Sequence, residues 1–187
     1  MKTIVIACFV GALASSSWAQ GAESTSRVAL GAQTALAHEQ GNLFGSGPSG
    51  NMSLTFVQGQ IFLTVLQSGS APRLQMINEL VLGQSFGPSK GLLVGLDETF
   101  RVHLRPEERV GWYIEAGAGI SSIAFSARNL DGKFQFLLHV GTGVRLHVGR
   151  GSLTLGYRLS HLSNNGTIMP NLGLNMHTAV VGFSVSL

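Results

Sequence analysis

The stretch His177-Thr178-Ala179-Val180-Val181-Gly182-Phe183-Ser184-Val185-Ser186-Leu187 decides the fold. Its odd positions from 179 carry Ala179, Val181, Phe183, Val185 and Leu187, and its even positions carry Thr178, Val180, Gly182, Ser184 and Ser186. Successive side chains of a strand point to opposite faces, so a period of two describes a strand with one large apolar face and one small or polar face. The same pattern lies upstream. Leu153, Leu155, Tyr157 and Leu159 oppose Ser152, Thr154, Gly156 and Arg158. Phe134, Phe136, Leu138, Val140, Val144, Leu146 and Val148 oppose Gln135, His139, Gly141, Gly143, Arg145, His147 and Gly149. Trp112, Ile114, Ala116, Ala118 and Ile120 oppose Tyr113, Glu115, Gly117, Gly119 and Ser121.

Eight segments of this kind fall near residues 28–37, 52–67, 74–86, 91–104, 110–125, 134–148, 151–163 and 177–187, the second and third alternating poorly. An even number of segments, each about ten residues or longer, predicts an all-β, eight-stranded antiparallel transmembrane β-barrel. The connections agree: 68–73, 105–109 and 149–151 are short, while 38–50, 126–133 and 164–174 are longer. With both termini periplasmic, the short turns lie inside and the long loops outside. Arg, Gln, Glu, His and Gly then line a lumen that eight strands leave filled by side chains. A soluble lipocalin-type barrel is the alternative. It would turn the apolar face inward and leave the outward face without solvating charge.

Composition carries the same message. Of 187 residues, 44% are hydrophobic and 11% charged, where a soluble domain has about a quarter charged. That argues against an ordinary cytosolic protein, and equally against disorder, which needs the opposite composition. The 25 glycines follow no period of three, which excludes collagen. A net charge of +3 is too small and scattered for a nucleic-acid surface, so no nucleic-acid partner is expected.

Residues 1–19 read as a secretory signal peptide. Met1-Lys2-Thr3 is the positive region, 4–14 the apolar stretch and Ser17-Trp18-Ala19 the small-x-small cleavage site, leaving 20–187 as a single barrel domain. Val5-Ile6-Ala7-Cys8 has the look of a lipoprotein cleavage box, but too few residues precede it for a full apolar region. Cys8, the one cysteine, leaves with the signal, so the mature chain has no disulfide and no thiolate ligand or nucleophile. Beyond the signal no apolar run is long enough for a membrane-spanning helix.

Along the seventh segment the apolar series of Leu153 to Leu159 continues with His161 and Ser163, so both point at lipid. Residues i and i+2 lie about 6.5 to 7 Å apart along a strand, within reach of an imidazole and a hydroxyl. A polar pair on a lipid face is costly and usually functional. Near the outer end of an outward-running strand it points to ester hydrolysis of an outer-leaflet lipid, Ser163 being the nucleophile and His161 the base. Such a spacing is common by chance, and a bland interfacial pair is the alternative.

The surrounding residues are more specific. His161-Leu162-Ser163-Asn164-Asn165-Gly166 followed by Pro170-Asn171-Leu172-Gly173 resembles the C-terminal region of the PagL family of outer-membrane lipid A 3-O-deacylases, which reads His-x-Ser-Asn-x-Gly and then Pro-Asn-x-Gly. Trp112-Tyr113-Ile114-Glu115-Ala116-Gly117 and Phe134-Gln135-Phe136 look like that family's two preceding strands, so the likeness covers roughly 110–187.

The resemblance implies a carboxylic ester hydrolase in the outer membrane. It would remove the 3-position acyl chain of lipid A with a Ser-His-Glu triad, without metal or cofactor. His161 and Ser163 take their family roles, Asn171 is an oxyanion-hole donor, and a backbone amide near Gly166 is its partner. Lipid A or lipopolysaccharide and the surrounding outer-membrane lipids are the implied partners, and a second copy of the chain, as a homodimer, is a further candidate. The chain departs from the family at the triad acid, where it has Asn175, and no Asp or Glu follows Asp131. Asparagine can orient a histidine but brings no charge to imidazolium. In a serine protease the acid-to-amide change costs about four orders of magnitude. The alternative function is therefore a catalytically weak or inactive structural or binding barrel of the same family. Glu115 has lumen parity, Glu98 has lipid parity but lies strands away, and Leu138 stands where the family is often acidic.

Other residues have simpler readings. His139 and His147 share the lumen face with Arg145 and are expected to be interior hydrogen-bonding groups rather than metal ligands. His177 shares the lipid face with Asn175. Trp112 and Tyr157 are interface aromatics or lipid-facing bulk. The segment 105–109 reads as a solvated turn, and Lys90, Arg128 and Lys133 fall in outer loops where lipid A phosphates or water could meet them.

Overall fold

Hydrogen-bond pairing turns the period-two segments into eight strands: β1 (Val28–Glu39), β2 (Ser53–Leu66), β3 (Arg73–Phe86), β4 (Gly91–His103), β5 (Val110–Ile123), β6 (Phe134–Val148), β7 (Gly151–Ser163) and β8 (Leu174–Ser186). A computed structural model describes residues 28–39, 53–66, 73–86, 90–106, 108–125, 130, 132–168 and 173–187. The expected signal segment 1–19 and Arg128 lie outside the described residues, as do most of the loop 38–50 and part of the other two long loops. Each strand is antiparallel to its sequence neighbours, and β1 pairs with β8, from Ala29 opposite Ser186 to Glu39 opposite Met176. Closure leaves no unpaired strand edge, which a chain in hydrocarbon cannot tolerate. Among the described residues no helix is long and apolar enough to cross a membrane.

The strand bounds follow the sequence pattern to within a few residues, with the largest difference at β8. It starts at Leu174 rather than 177, because Leu174 and Asn175 pair with Leu162 and His161 and extend the ladder. The polar Asn175 and His177 on the outward face break the apolar alternation there, so hydropathy ends the strand before the hydrogen bonds do.

The expected face assignment holds. Leu96, Phe100, Trp112, Ile114, Val140, Leu155 and Val181 are all exposed on the outside. An apolar exterior this continuous belongs against acyl chains rather than water. Two inward-facing glycines show what the small inner face accomplishes. Gly143 and Gly156 pair across β6 and β7, and Tyr113 of β5 pairs with Gly143. A Cβ on either glycine would collide with the Tyr113 hydroxyl, so the ring fills space that two missing side chains leave.

The lumen is not polar throughout, which corrects the sequence reading. At the end away from the termini it is an apolar plug that includes Leu93, Phe125, Leu130, Leu137, Leu162 and Met176. This explains the poor alternation of β3, where Ile77 and Val81 point inward beside Glu79 while Leu80 and Leu82 point outward. The middle layer is ionic. Arg158 donates to Glu79 (Nη1 to Oε2, 3.1 Å; Nη2 to Oε1, 3.1 Å) and through Nε to Glu115 (2.6 Å). Arg101 donates through Nε to Glu115 (2.9 Å), and Gln60 links Gln33 to Glu79. His139 lies 3.4 Å from Asp97 through Nδ1 and 3.1 Å from Thr99 Oγ1 through Nε2. Buried charge is tolerated here because each of these groups faces an opposite charge or a hydrogen bond. The third layer, at the end carrying the termini, holds Arg73, His103, Arg145 and His147, with Arg145 donating to the Pro106 carbonyl (2.8 Å).

A lipid-facing candidate active site

Two of the expected residues, His161 and Asn175, meet where β7 and β8 approach the loop end. His161 pairs with Asn175 in the ladder, so their side chains rise from the same face of adjacent strands. His161 Nδ1 lies 2.7 Å from Asn175 Oδ1. With the amide oxygen as acceptor, Nδ1 carries the proton and Nε2 keeps its lone pair, which is the arrangement a general base needs. Ser163 follows two residues on, level with the end of β7 and on the same face. Asn175 is only 3% exposed although its parity is outward, whereas Leu138, opposite His161 on β6, is 50% exposed. The amide is therefore packed under the imidazole while the wall beside it stays open.

The structure adds a residue that the sequence reading named only as part of a motif. Gly173, at φ 75°, lies directly against His161: a Cβ there would collide with the imidazole Cε1 and come within 2.9 Å of Nε2. Both the backbone conformation and the contact exclude a side chain, so Gly173 leaves the space that the His161 ring occupies beside Asn175. The sequence signal was the glycine of Pro-Asn-x-Gly.

Beyond Ser163 the chain turns at once. Asn165 and Gly166 both have positive φ (55° and 75°), and the Thr167 N–H donates to the Asn164 carbonyl at 3.2 Å, the geometry of a type I′ turn. Asn164 is buried and donates through Nδ2 to the Ile168 carbonyl at 2.8 Å, bracing the loop. Gly166 is exposed three residues past Ser163, and a Cβ there would meet open space. Asn171 lies outside the described residues. On the β6 side Phe136 pairs with Ser163 and Leu138 with His161, while Phe134 and Phe136 pack edge to face with centroids 5.2 Å apart. Phe134, Phe136, Leu138 and Val140 thus form an exposed apolar strip beside the polar residues.

The remaining candidates sort by face. Glu115 is inside, held by Arg101 and Arg158, and Glu98 on β4 is separated from β7 by two strands. His139 and His147 are interior hydrogen-bonding groups; His147 reaches the Pro106 carbonyl at 3.3 Å and Ser152 at 3.2 Å. Trp112 is exposed on the outer face. Tyr157 is more than lipid-facing bulk, since its hydroxyl hydrogen-bonds His177 Nδ1 across β7 and β8, just below the His161–Asn175 pair. Arg105 and Glu108 form an exposed ion pair in the 105–109 turn, and Lys90 and Lys133 are solvent-exposed.

Comparison with known proteins places these features in context. A family model described as Lipid A 3-O-deacylase (PagL) matches residues 78–184. The curated Lipid A deacylase PagL of Bordetella bronchiseptica is 41% identical over 68 residues, 35% of this chain and 36% of that protein's length. Among solved structures, the outer membrane enzyme PagL superposes with a TM-score of 0.62 at 17% identity, covering 81% of this chain and 97% of that one. Neisserial surface protein A superposes at 0.58 with 14% identity, covering 86% and 97%. These two structures share the fold.

Proposed function

From the premise that the chain belongs to the Lipid A 3-O-deacylase (PagL) family, and is thus a bacterial outer-membrane β-barrel, we propose that it hydrolyses the 3-position acyl ester of lipid A in the outer leaflet. The observation that carries this reading is the 2.7 Å contact between His161 Nδ1 and Asn175 Oδ1 on the lipid face, with Ser163 one rung above. A soluble substrate has no access to that face. An acyl chain has, and the strip of Phe134, Phe136, Leu138 and Val140 offers it a track.

In the proposed mechanism Ser163 Oγ attacks the ester carbonyl as His161 Nε2 takes its proton. The tetrahedral oxyanion is met by N–H donors, for which Asn171 and the backbone amide of Gly166 are assigned. Collapse breaks the bond to the sugar oxygen, which receives the proton from His161, and leaves the acyl chain on Ser163. Water, deprotonated by the same imidazole, then releases the fatty acid and restores the hydroxyl. Asn175 fixes the tautomer and the ring position throughout. It brings no charge to the imidazolium, but a carboxylate at a 3%-exposed, lipid-facing position would carry a large desolvation cost that the amide avoids.

Mass spectrometry of lipid A from cells making the chain tests this. One hydroxyacyl group is lost with the wild type, and Ser163→Ala reduces that release by about 10³-fold or more while the barrel still folds. An unchanged lipid A spectrum with folded wild-type protein defeats the proposal. The neutral partner of His161 also favours a second reading, a barrel of this family that binds lipid without turnover. It predicts an inactive wild type that gains activity with Asn175→Glu.

A further inference from the structure

The mouth of the barrel opposite the His161 site has a different chemistry. A cavity of about 510 Å³ opens there, at the end that carries the chain termini and the short turns, which is the periplasmic end of an outer-membrane barrel. Arg73, Arg101, Arg109, Arg145 and Arg150 line it together with His103, and none of the described lining residues is acidic. The register explains the concentration. Arg73 pairs with His103 and Arg145 pairs with Gly111, and Arg73 of β3, His103 of β4 and Arg145 of β6 all line the same cavity. Gly111 makes room for the 105–109 turn, since a Cβ there would meet the Arg105 carbonyl at 2.8 Å.

The floor of the cavity separates it from the ionic layer above. Tyr113, with no exposure, lies under the Arg101 guanidinium at 4.1 Å, and Arg101 is already committed to Glu115 at 2.8 Å. The two carboxylates nearest in the lumen, Glu79 and Glu115, are engaged by Arg158 and Arg101 and face the layer above. Arg73, Arg109, Arg145 and Arg150 line the cavity beside Arg101. His103 is 1% exposed; its Nε2 meets Gln75 Oε1 at 2.6 Å, and its Nδ1 has no hydrogen-bond partner among the described residues. Guanidinium forks converging from several strands in a low-dielectric cup match the oxygens of a tetrahedral anion, which can accept from more than one fork at once. The volume exceeds that of a single inorganic phosphate ion, leaving room for a second phosphoryl group or an organic substituent.

We propose that this periplasmic vestibule is an anion-binding site for a phosphoryl-bearing ligand, with Arg73 and Arg145 as its inner contacts and Arg109 and Arg150 at its rim. The shared chemistry is the phosphate group, supplied either by a phospholipid headgroup of the inner leaflet or by a free phosphorylated solute. Binding here is independent of Ser163, which lies at the other end of the barrel.

Isothermal titration of the full-length folded barrel in non-ionic detergent with inorganic pyrophosphate tests the site. Thermal unfolding in phosphatidylcholine vesicles with and without phosphatidylglycerol forms the second arm. Arg145→Gln, and the rim variant Arg150→Gln, which places no demand on buried packing, are compared with the wild type after gel mobility confirms folding. Saturable pyrophosphate binding, weakened about tenfold or more by Arg145→Gln and several-fold by Arg150→Gln, supports the proposal with a free solute as the source. A thermal midpoint raised by phosphatidylglycerol in the wild type but not in the arginine variants supports it with a headgroup as the source. Ser163→Ala binds like the wild type in either case. Absence of both effects, or effects that both arginine variants retain in full, overturns it.

Discussion

Two polar clusters sit a few residues apart on β7 and face opposite ways. Arg158 points inward and joins Glu79 and Glu115 in a buried ionic layer; His161 points outward and leans on an uncharged amide. Both are removed from water, yet only the inner one contains charge. Inside the barrel Glu79 and Glu115 each meet a guanidinium from another strand, and the mutual attraction offsets desolvation. On the lipid face no cation is within the described site to play that part, and Asn175 satisfies His161 without one. The difference teaches that polarity in this barrel is placed by what surrounds it: charge where strands can pair it, neutral hydrogen bonds where acyl chains are the neighbour.

The largest expected effect breaks the inner cluster. Arg158→Met leaves Glu79 and Glu115 buried with reduced compensation and destabilises the barrel by about 3 to 5 kcal/mol, measured by urea unfolding in detergent. Replacing Arg158, Glu79 and Glu115 together by apolar residues of similar volume costs far less, and an equal loss would deny that the charges are coupled. The outer cluster responds in kcat rather than stability. Asn175→Glu, by adding the missing charge, raises deacylation about 10- to 100-fold, equivalent to roughly 1.4 to 2.7 kcal/mol of barrier, while lowering the unfolding midpoint because an acid must be buried there. A variant that gains neither activity nor instability would show that Asn175 is not facing the imidazole.

Gly173→Ala tests how the ring is held. Strain at φ 75° and the collision with the imidazole cost about 1 to 3 kcal/mol, and lipid A turnover falls about tenfold or more in kcat as His161 leaves Asn175. The smallest change is expected beside the site. Leu138→Ala trims a half-exposed wall residue, and its loss of apolar contact, about 1 kcal/mol or less, appears as a KM increase of no more than about fivefold, with kcat retained.

Much of this was legible from residue order. The phase of Leu153, Leu155, Tyr157 and Leu159 already assigns His161 and Ser163 to the outside and Arg158 to the inside, since a strand offers only two faces. The alternation of β3 and the start of β8 were harder to read, because Ile77 and Val81 are apolar and yet inside, and Asn175 is polar and yet outside. Hydropathy reports the neighbour a residue prefers, whereas hydrogen bonds decide the strand. The glycine of Pro-Asn-x-Gly was visible, but its duty was not, because contact between residues 161 and 173 depends on how the loop between them returns.

The sequence by itself determined the barrel, its eight strands and the faces of their residues, because period-two alternation and turn spacing are local properties of the chain. Only the tertiary structure decided which strands stand side by side at each level, and so which residues become partners. Closure of β1 on β8 and the stagger of neighbouring strands bring Arg158 to Glu79, 79 residues away in the chain, gather Arg73 and Arg145 at one mouth, and stack the lumen into apolar, ionic and basic layers. Register is a collective outcome of all eight ladders, and no single segment carries it.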